Sequence, residues 1–509
     1  MDKKNSILNV GVAVFFKIIL LAASIIVRRF LIRCLGNDIN GLNSLFVSIL
    51  GVLSVAELGI GSAISFCMYK PIVEGDELKV SALYGLFTRL YLIIGAIIFG
   101  GGLAVMPLLP YLAKGFYSTG TELYLTFFLM LISVVITYLF SAKTSLINAY
   151  KNNYITTLIS SCGMVLQYVA QIAVLLATQS YVLFLICSIV AAMLQWWATE
   201  IVTRRKYKTV IANKQKLDEE TKSEVSKKIK AMFGHKIGWT LVNAADSLII
   251  STFIGVVILG KYSNYLAIMT AMTSVLTLCF TPLTSIIGQA CAAEDQTQVR
   301  KYFSFFYTFN FLSGVIFYLG YYAVIDDLVA ILFSEGLDLP KSTSLVLTIN
   351  YFIQFMRNAV LLFRDATGTF YNDRWKPLFE GVTNIVLSIA FVYIFEYLFG
   401  ADFAVVGVIV ATIITNLFIC HIIEPHVLFK YAFNASAKKY YIRNYIYIAV
   451  FVVVLFLLNV CMVHLENRWL DLLANGAIAV GISIVPVVGA VIADKDFRHY
   501  AAAVVKRRR

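Results

Sequence analysis

Apolar runs long enough to cross a bilayer core, which takes roughly 20 helical residues, recur along the whole length of this chain. No stretch between them is long enough to form a soluble domain. The rest of the composition agrees: charged residues make up 14% of the 509 and hydrophobic residues 60%, whereas soluble domains carry about 25% charged residues. The missing charge is replaced by Leu, Ile, Val, Phe and Tyr. The expected fold class is therefore an all-α polytopic membrane protein.

The apolar pattern places about fourteen transmembrane helices near 7–35, 41–70, 82–110, 121–147, 154–177, 181–203, 236–258, 264–290, 301–325, 343–371, 377–399, 403–429, 441–464 and 470–493. Several of these windows exceed one bilayer thickness, so those helices tilt or project into water. The first run, Ile7 to Val27, is too long for a signal-peptide core and lacks a small-residue cleavage site. It reads as the first membrane helix, with no cleavable signal peptide.

Lys and Arg distribution orients the chain. Arg204, Arg205, Lys206, Lys208, Lys214, Lys216, Lys222, Lys227, Lys228, Lys230 and Lys236 crowd one connection. Lys438 and Lys439, and the tail with Lys495, Arg498 and Lys506 to Arg509, fall on the same side once both termini are cytoplasmic. The opposite loops hold few cations: Lys114, Lys261, Lys341 and Arg468. The expected location is a cytoplasmic (inner) membrane. The net charge of +13 then reflects cytoplasmic loops facing an anionic leaflet of membrane lipids; no nucleic acid is expected as a partner.

The loop 204–235 splits the chain after six predicted helices, and a weak repeat spans the split. Leu35-Gly36-x-x-x-Asn40-x-Leu42 answers Leu259-Gly260-x-x-x-Asn264-x-Leu266 at an offset of 224. Tyr150-Lys151-Asn152-Asn153-Tyr154 answers Tyr371-Asn372-Asp373-Arg374-Trp375 at 221. An even number of crossings makes this a parallel pseudo-repeat about an axis along the membrane normal. The expected organisation is an N-terminal six-helix bundle (1–203), a basic cytoplasmic linker (204–235), a C-terminal six-helix bundle (236–430), two additional helices (431–493) and a basic tail (494–509). The two bundles are expected to surround a central cavity.

Charges at bilayer depth cost about 2.5–3.5 kcal/mol each on an insertion scale and mark pathways. On the first helix Lys17, Ser24 and Arg28 stand at i, i+7 and i+11, within roughly 20° of one line. On the tenth, Asn350, Gln354, Arg357, Arg364 and Gly368 share one face of an uninterrupted helix. Glu57, Asp246 and Glu380 are the acidic counterparts, for charge balance or ion coupling. Glu396 and Glu424, at helix ends, are expected at the interface. The deep cations outnumber the acids, which suits an anionic ligand. Arg binds phosphate bidentately and Lys acts as a point charge, so Lys17, Arg28, Arg357 and Arg364 are candidate diphosphate ligands, with Asn350 and Gln354 beside them.

No phosphate-cradling G-x-x-x-x-G-K-[ST] motif occurs, and no catalytic or metal constellation stands out. No cofactor is expected. The energy source is an ion gradient (H+ or Na+), the membrane potential or the substrate's own gradient. The eight cysteines form no CxxC pair and read as packing residues.

Segment 41–79, GLNSLFVSILGVLSVAELGIGSAISFCMYKPIVEGDELK, resembles the second helix and following loop of bacterial oligosaccharide flippases (the Wzx type, in the polysaccharide transporter family). The resemblance continues at Asn243-Ala244-Ala245-Asp246, Tyr262-Ser263-Asn264-Tyr265, Pro282-Leu283-Thr284-Ser285, Arg364-Asp365-Ala366-Thr367-Gly368, Pro377-Leu378-Phe379-Glu380 and Asn384 to Ser388, and so covers about the first 430 residues. It implies a fold like that of the multidrug and toxic compound extruders, worked by alternating access. It also implies a substrate, an undecaprenyl-diphosphate-linked oligosaccharide repeat unit moved to the outer leaflet for capsule or O-antigen. The pathway's polymerase and glycosyltransferases are the implied protein partners. A lipid II flippase is a near relative by the same logic. A cation antiporter would favour an acidic cavity, against Lys17 and Arg357. A polysaccharide polymerase or ligase would need a larger outer loop than 326–342.

Overall fold

The computed structural model describes residues 3–54, 60–116, 120–212, 244–293, 295–494 and 497–499. Among them the chain is helical without strands, and ten helices are long and apolar enough to cross a membrane. The chain is thus a multi-pass membrane protein of the expected all-α class. Contacts divide it into two compact units, Met1–Ser263 and Asn264–Arg509. Residues 213–235 of the expected linker, and Glu57 and Asn243, lie outside the described residues.

The first unit contains α1 (Lys3–Leu35), α2 (Asn37–Leu53), α3 (Ile60–Glu74), α4 (Glu77–Val105), α5 (Gly120–Ala149), α6 (Asn153–Thr178) and α7 (Tyr181–Lys206). A short apolar helix, Ala244–Ile254, follows. The unit boundary falls inside α8 (Val256–Ala293). Helix α1 packs along α6, α4 along α5, and α7 against both α5 and α6. The two halves of the sequence repeat lie together here. Asn37 Nδ2 donates to the Val257 carbonyl at 2.8 Å, and Asn40 Nδ2 to the Gly260 carbonyl at 3.1 Å. Glycine makes the approach possible. A Cβ on Gly41 would stand 2.0 Å from the Val256 carbonyl oxygen, and one on Gly260 would stand 2.4 Å from the Asn37 carbonyl oxygen. Gly41, inside the first copy of the motif, and Gly260, the glycine of the second, are therefore contact points between backbones.

The second unit continues with α9 (Gln296–Leu332), α10 (Lys341–Met356), α11 (Asn358–Ala366), α12 (Lys376–Phe399), α13 (Ala404–Thr415), α14 (His421–Val427), α15 (Lys438–Cys461) and α16 (Arg468–Ala493). Helix α9 is its centre, packing against α10, α15 and α16. Polar clasps hold both of its ends. Asp327 takes Arg468 at 3.1 Å, while Asp326 takes Lys341 at 2.9 Å and the Tyr265 hydroxyl at 2.7 Å. At the other end Arg443 reaches Asp494 at 3.2 Å and Ser304 at 2.9 Å. Between them Tyr307 donates to Asn444 at 2.7 Å. The two C-terminal helices thus serve as the outer wall of α9. Three of the few cations on the sparsely charged loops are bound locally, for Lys114 donates to the Phe253 carbonyl just as Lys341 and Arg468 hold Asp326 and Asp327.

Two differences from the expected helices bear on function. The tenth predicted helix is interrupted at Arg357, whose N–H bonds back three residues to Gln354 at 3.2 Å. The twelfth carries π-helical turns at Asn416–Cys420 and Leu428–Ala432, with Pro425 between them. Hydropathy patterns report apolar length and are blind to either interruption.

Overpacking a tight contact costs about 1–3 kcal/mol, and the Gly41 contact admits no side-chain escape. Gly41→Val is expected to lower the thermal midpoint of the detergent-solubilised protein by several degrees or abolish its monodisperse peak. Gly51→Ala, whose added Cβ meets nothing within 4 Å, should match wild type.

Candidate functional site

The first unit holds a cavity of about 320 Å³ between α1 and α6. Lys17 and Ser24 border it from α1, and Thr157, Ser161 and Tyr168 from α6. The spacing explains why these residues meet. Positions 17 and 24 are i, i+7, and 157, 161 and 168 are i, i+4 and i+11, so each set forms one stripe on its helix. Leu20 and Leu21 complete an apolar wall. Lys17 is half-buried and makes no ion pair among the described residues. A half-buried cation beside hydroxyl groups can pair with an anion.

Arg28 stands eleven residues beyond Lys17, roughly 16 Å along the helix axis. Its Nη1 donates to Ser263 Oγ at 2.9 Å. Ser263 Oγ donates in turn to the Gly260 carbonyl at 2.8 Å, which also accepts from Asn40. Arg28 is thereby tied to the glycine junction of the repeat. Asp246 is half-buried on the Ala244–Ile254 helix.

The second unit brings a larger set of charges together. Arg357 Nε and Nη2 clamp Glu424 at 3.0 and 2.6 Å, while its Nη1 donates to Asn416 Oδ1 at 2.7 Å and reaches Glu380 at 3.4 Å. Lys376 Nζ joins Glu380 at 2.6 Å and Glu424 at 2.5 Å. The side chains of Lys376 and Glu424 are 4% and 1% exposed. Two cations face two carboxylates, so the set is neutral and closed. Local sequence explains the geometry. Helix α12 begins at Lys376 with Pro377 as its second residue, so Lys376 and Glu380 fall at i, i+4 on its first turn. Asn416 and Glu424 are eight positions apart and would diverge by about 80° on an α-helix. The intervening π turn adds about one residue per turn and lets both reach Arg357. The break at Arg357 aims its guanidinium at them.

Arg364 forms a second set, bonding Asp365 at 3.0 Å and the buried Asp373 at 2.8 Å. Asn350 is buried and accepts from Gln354 Nε2 at 3.2 Å. Glu424, expected at the interface, is buried within the protein, where Arg357 and Lys376 compensate it. The acidic partners of Arg357 and Arg364 are Glu380, Glu424, Asp365 and Asp373. Sequence reasoning overlooked Lys376, Asn416 and Asp373. The i, i+4 pair Lys376–Glu380 beside a proline was the legible signal; Asn416 and Asp373 had none, since a π turn and a 3₁₀ turn (Thr369–Asp373) bring them in.

The fold that carries these two sites is similar to those of a lipid II flippase and of MATE family transporters. Over 93% of its length the chain is similar to 97% of the lipid II flippase MurJ in an inward closed conformation, at TM-score 0.59 and 13% identity. It is similar over 87% of its length to 98% of an inward-facing multidrug resistance MATE family transporter of the MOP superfamily, at 0.58 and 13%. A Vibrio cholerae MATE transporter is matched at 0.51 and 14%, covering 84% of this chain and 99% of that one. The sequence matches no protein-family model and no curated protein.

Breaking one partner of a buried ion pair costs about 3–5 kcal/mol, whereas removing a whole pair costs far less. Glu424→Gln should therefore lower the thermal midpoint sharply. Lys376→Met combined with Glu424→Gln, which keeps Arg357 opposite Glu380, should recover at least about 1 kcal/mol of the summed single losses in a double-mutant cycle by thermal unfolding.

Proposed function

We propose that the protein is a flippase for undecaprenyl-diphosphate-linked oligosaccharide repeat units, moving them from the cytoplasmic to the outer leaflet of a bacterial cytoplasmic membrane by alternating access, for a surface polysaccharide such as capsule or O-antigen. The observation that carries this reading is Lys17, a cation with no carboxylate partner among the described residues, bordering an open cavity between α1 and α6 that hydroxyl-bearing side chains also border. A diphosphate gains from an ammonium point charge and from hydroxyl donors together, and Thr157 and Tyr168 offer the latter. The fold shared with a lipid II flippase supports the same substrate logic.

In this mechanism the headgroup phosphates rest at Lys17 while the polyprenyl chain stays in lipid. Arg28, roughly 16 Å further along α1, is too distant to hold the same diphosphate and acts at a second station, near the Asn40–Gly260 junction. Arg357 and Arg364, already bonded to carboxylates, serve to organise the second unit, with Asn350 and Gln354 paired beside them. Glu380 balances charge there; Asp246 remains the candidate for coupling to H+ or Na+, alongside Glu57.

Leaflet transfer is the test. Proteoliposomes carrying a fluorescent polyprenyl-diphosphate oligosaccharide and a membrane-impermeant quencher should show protein-dependent transfer. Lys17→Ala should reduce the rate at least about tenfold, the worth of one charge-assisted hydrogen bond, with the thermal midpoint unchanged. Transfer at the wild-type rate by Lys17→Ala would remove the site assignment. Absence of transfer by folded wild type under every imposed gradient, together with efflux of a cationic dye, would replace the flippase with an antiporter.

A further inference from the structure

A second cavity, of about 470 Å³, opens where the twelfth predicted span ends and α15 begins. Its rim is basic: His426, Lys430 and Lys438 border it, and no carboxylate does. Neither lysine makes an ion pair among the described residues, in contrast to Lys376 and Arg357 deeper in the same unit. Its floor is apolar, from Phe429, Ala435 and Ala437, and Asn434 and Ser436 add polar groups. The backbone builds this opening. The π turn Leu428–Ala432 widens the helix at Phe429 and Lys430, and Asn434 at φ 45° reverses the chain before α15.

Beyond the cavity, two hydrogen bonds define a seam between α15 and the π-helical segment. Tyr441 borders the cavity and donates to the Ile422 carbonyl at 2.7 Å, and one turn further Tyr445 donates to the Leu417 carbonyl at 2.9 Å. These two tyrosines stitch α15 to the π-helical segment. Along the seam Phe418, Ile422, Ile442 and Ile446 are exposed, as lipid-facing side chains are. The charge asymmetry of the sequence puts Lys438 and Lys439 on the cytoplasmic side, where the leaflet is anionic.

We infer that this cavity is a binding site for the phosphate headgroup of an anionic membrane lipid. The phosphate sits between Lys430 and Lys438, and the acyl chains run along the seam beside Phe418 and Ile442. Charge complementarity at the rim and apolar surface leading away from it both call for one amphipathic anion. A soluble phosphate would use the rim alone and leave the seam without a role. The site is separate from the Lys17 cavity and is independent of what the protein transports.

Native mass spectrometry of the full-length protein in mild detergent tests this, with phosphatidylglycerol and phosphatidylethanolamine of identical acyl chains as probes. Wild type should retain phosphatidylglycerol about tenfold more tightly than phosphatidylethanolamine. Lys430→Gln combined with Lys438→Gln should erase that preference without changing the elution volume or thermal midpoint measured in phosphatidylethanolamine. Lys439→Gln, next in sequence but not bordering the cavity, should keep it. Millimolar inorganic phosphate should not displace the lipid. An unchanged preference in the double variant would overturn the site, and displacement by inorganic phosphate would overturn the lipid in favour of a soluble anion.

Discussion

A charge within a membrane-spanning unit needs a partner or an opening beside it, and the Arg357–Glu424–Lys376–Glu380 set shows how the second unit supplies partners. Four charges from α11's entry, α12 and α14 cancel within hydrogen-bonding distance. Each is placed by an irregularity: the break at Arg357, the proline start of α12, and the π turn before Glu424. Regular helices would keep these groups apart. The irregular backbone and the ion set therefore support one another, since breaks in helices at membrane depth persist where the freed groups find partners inside the protein.

The first unit resolves its charge differently. Lys17 borders an open cavity and Arg28 is held by Ser263 at the glycine junction. The second unit thus pairs its buried cations Arg357 and Lys376, while Lys17 of the first makes no ion pair among the described residues. That asymmetry is the basis for proposing anion recognition on α1 and a stabilising role for Arg357 and Arg364.

Much of the architecture was legible because membrane insertion is governed by apolar length. Predicted spans such as 154–177 and 470–493 coincide with Asn153–Thr178 and Arg468–Ala493 within two residues. The repeated Leu-Gly-x-x-x-Asn motif was legible as a pattern, and its meaning emerged only from the backbone approach at Gly41 and Gly260. The Lys17–Ser24 stripe was legible from helical spacing. Its partners Thr157, Ser161 and Tyr168 lie more than a hundred residues away and carry no distinguishing signal. The neutralisation of Arg357 was hidden for the same reason: Glu424 reads as a helix-end residue until the π turn and Pro425 are seen to fold it inward.

The most direct test of this division of labour is the affinity of a short polyprenyl diphosphate for the protein in lipid nanodiscs, compared across two variants. The account predicts that Lys17→Ala weakens binding at least about tenfold, while Lys376→Met combined with Glu424→Gln, neutral in sum, stays within about twofold of wild type. The opposite pattern, with affinity preserved in Lys17→Ala and lost in the paired variant, would place anion recognition in the second unit and contradict the account.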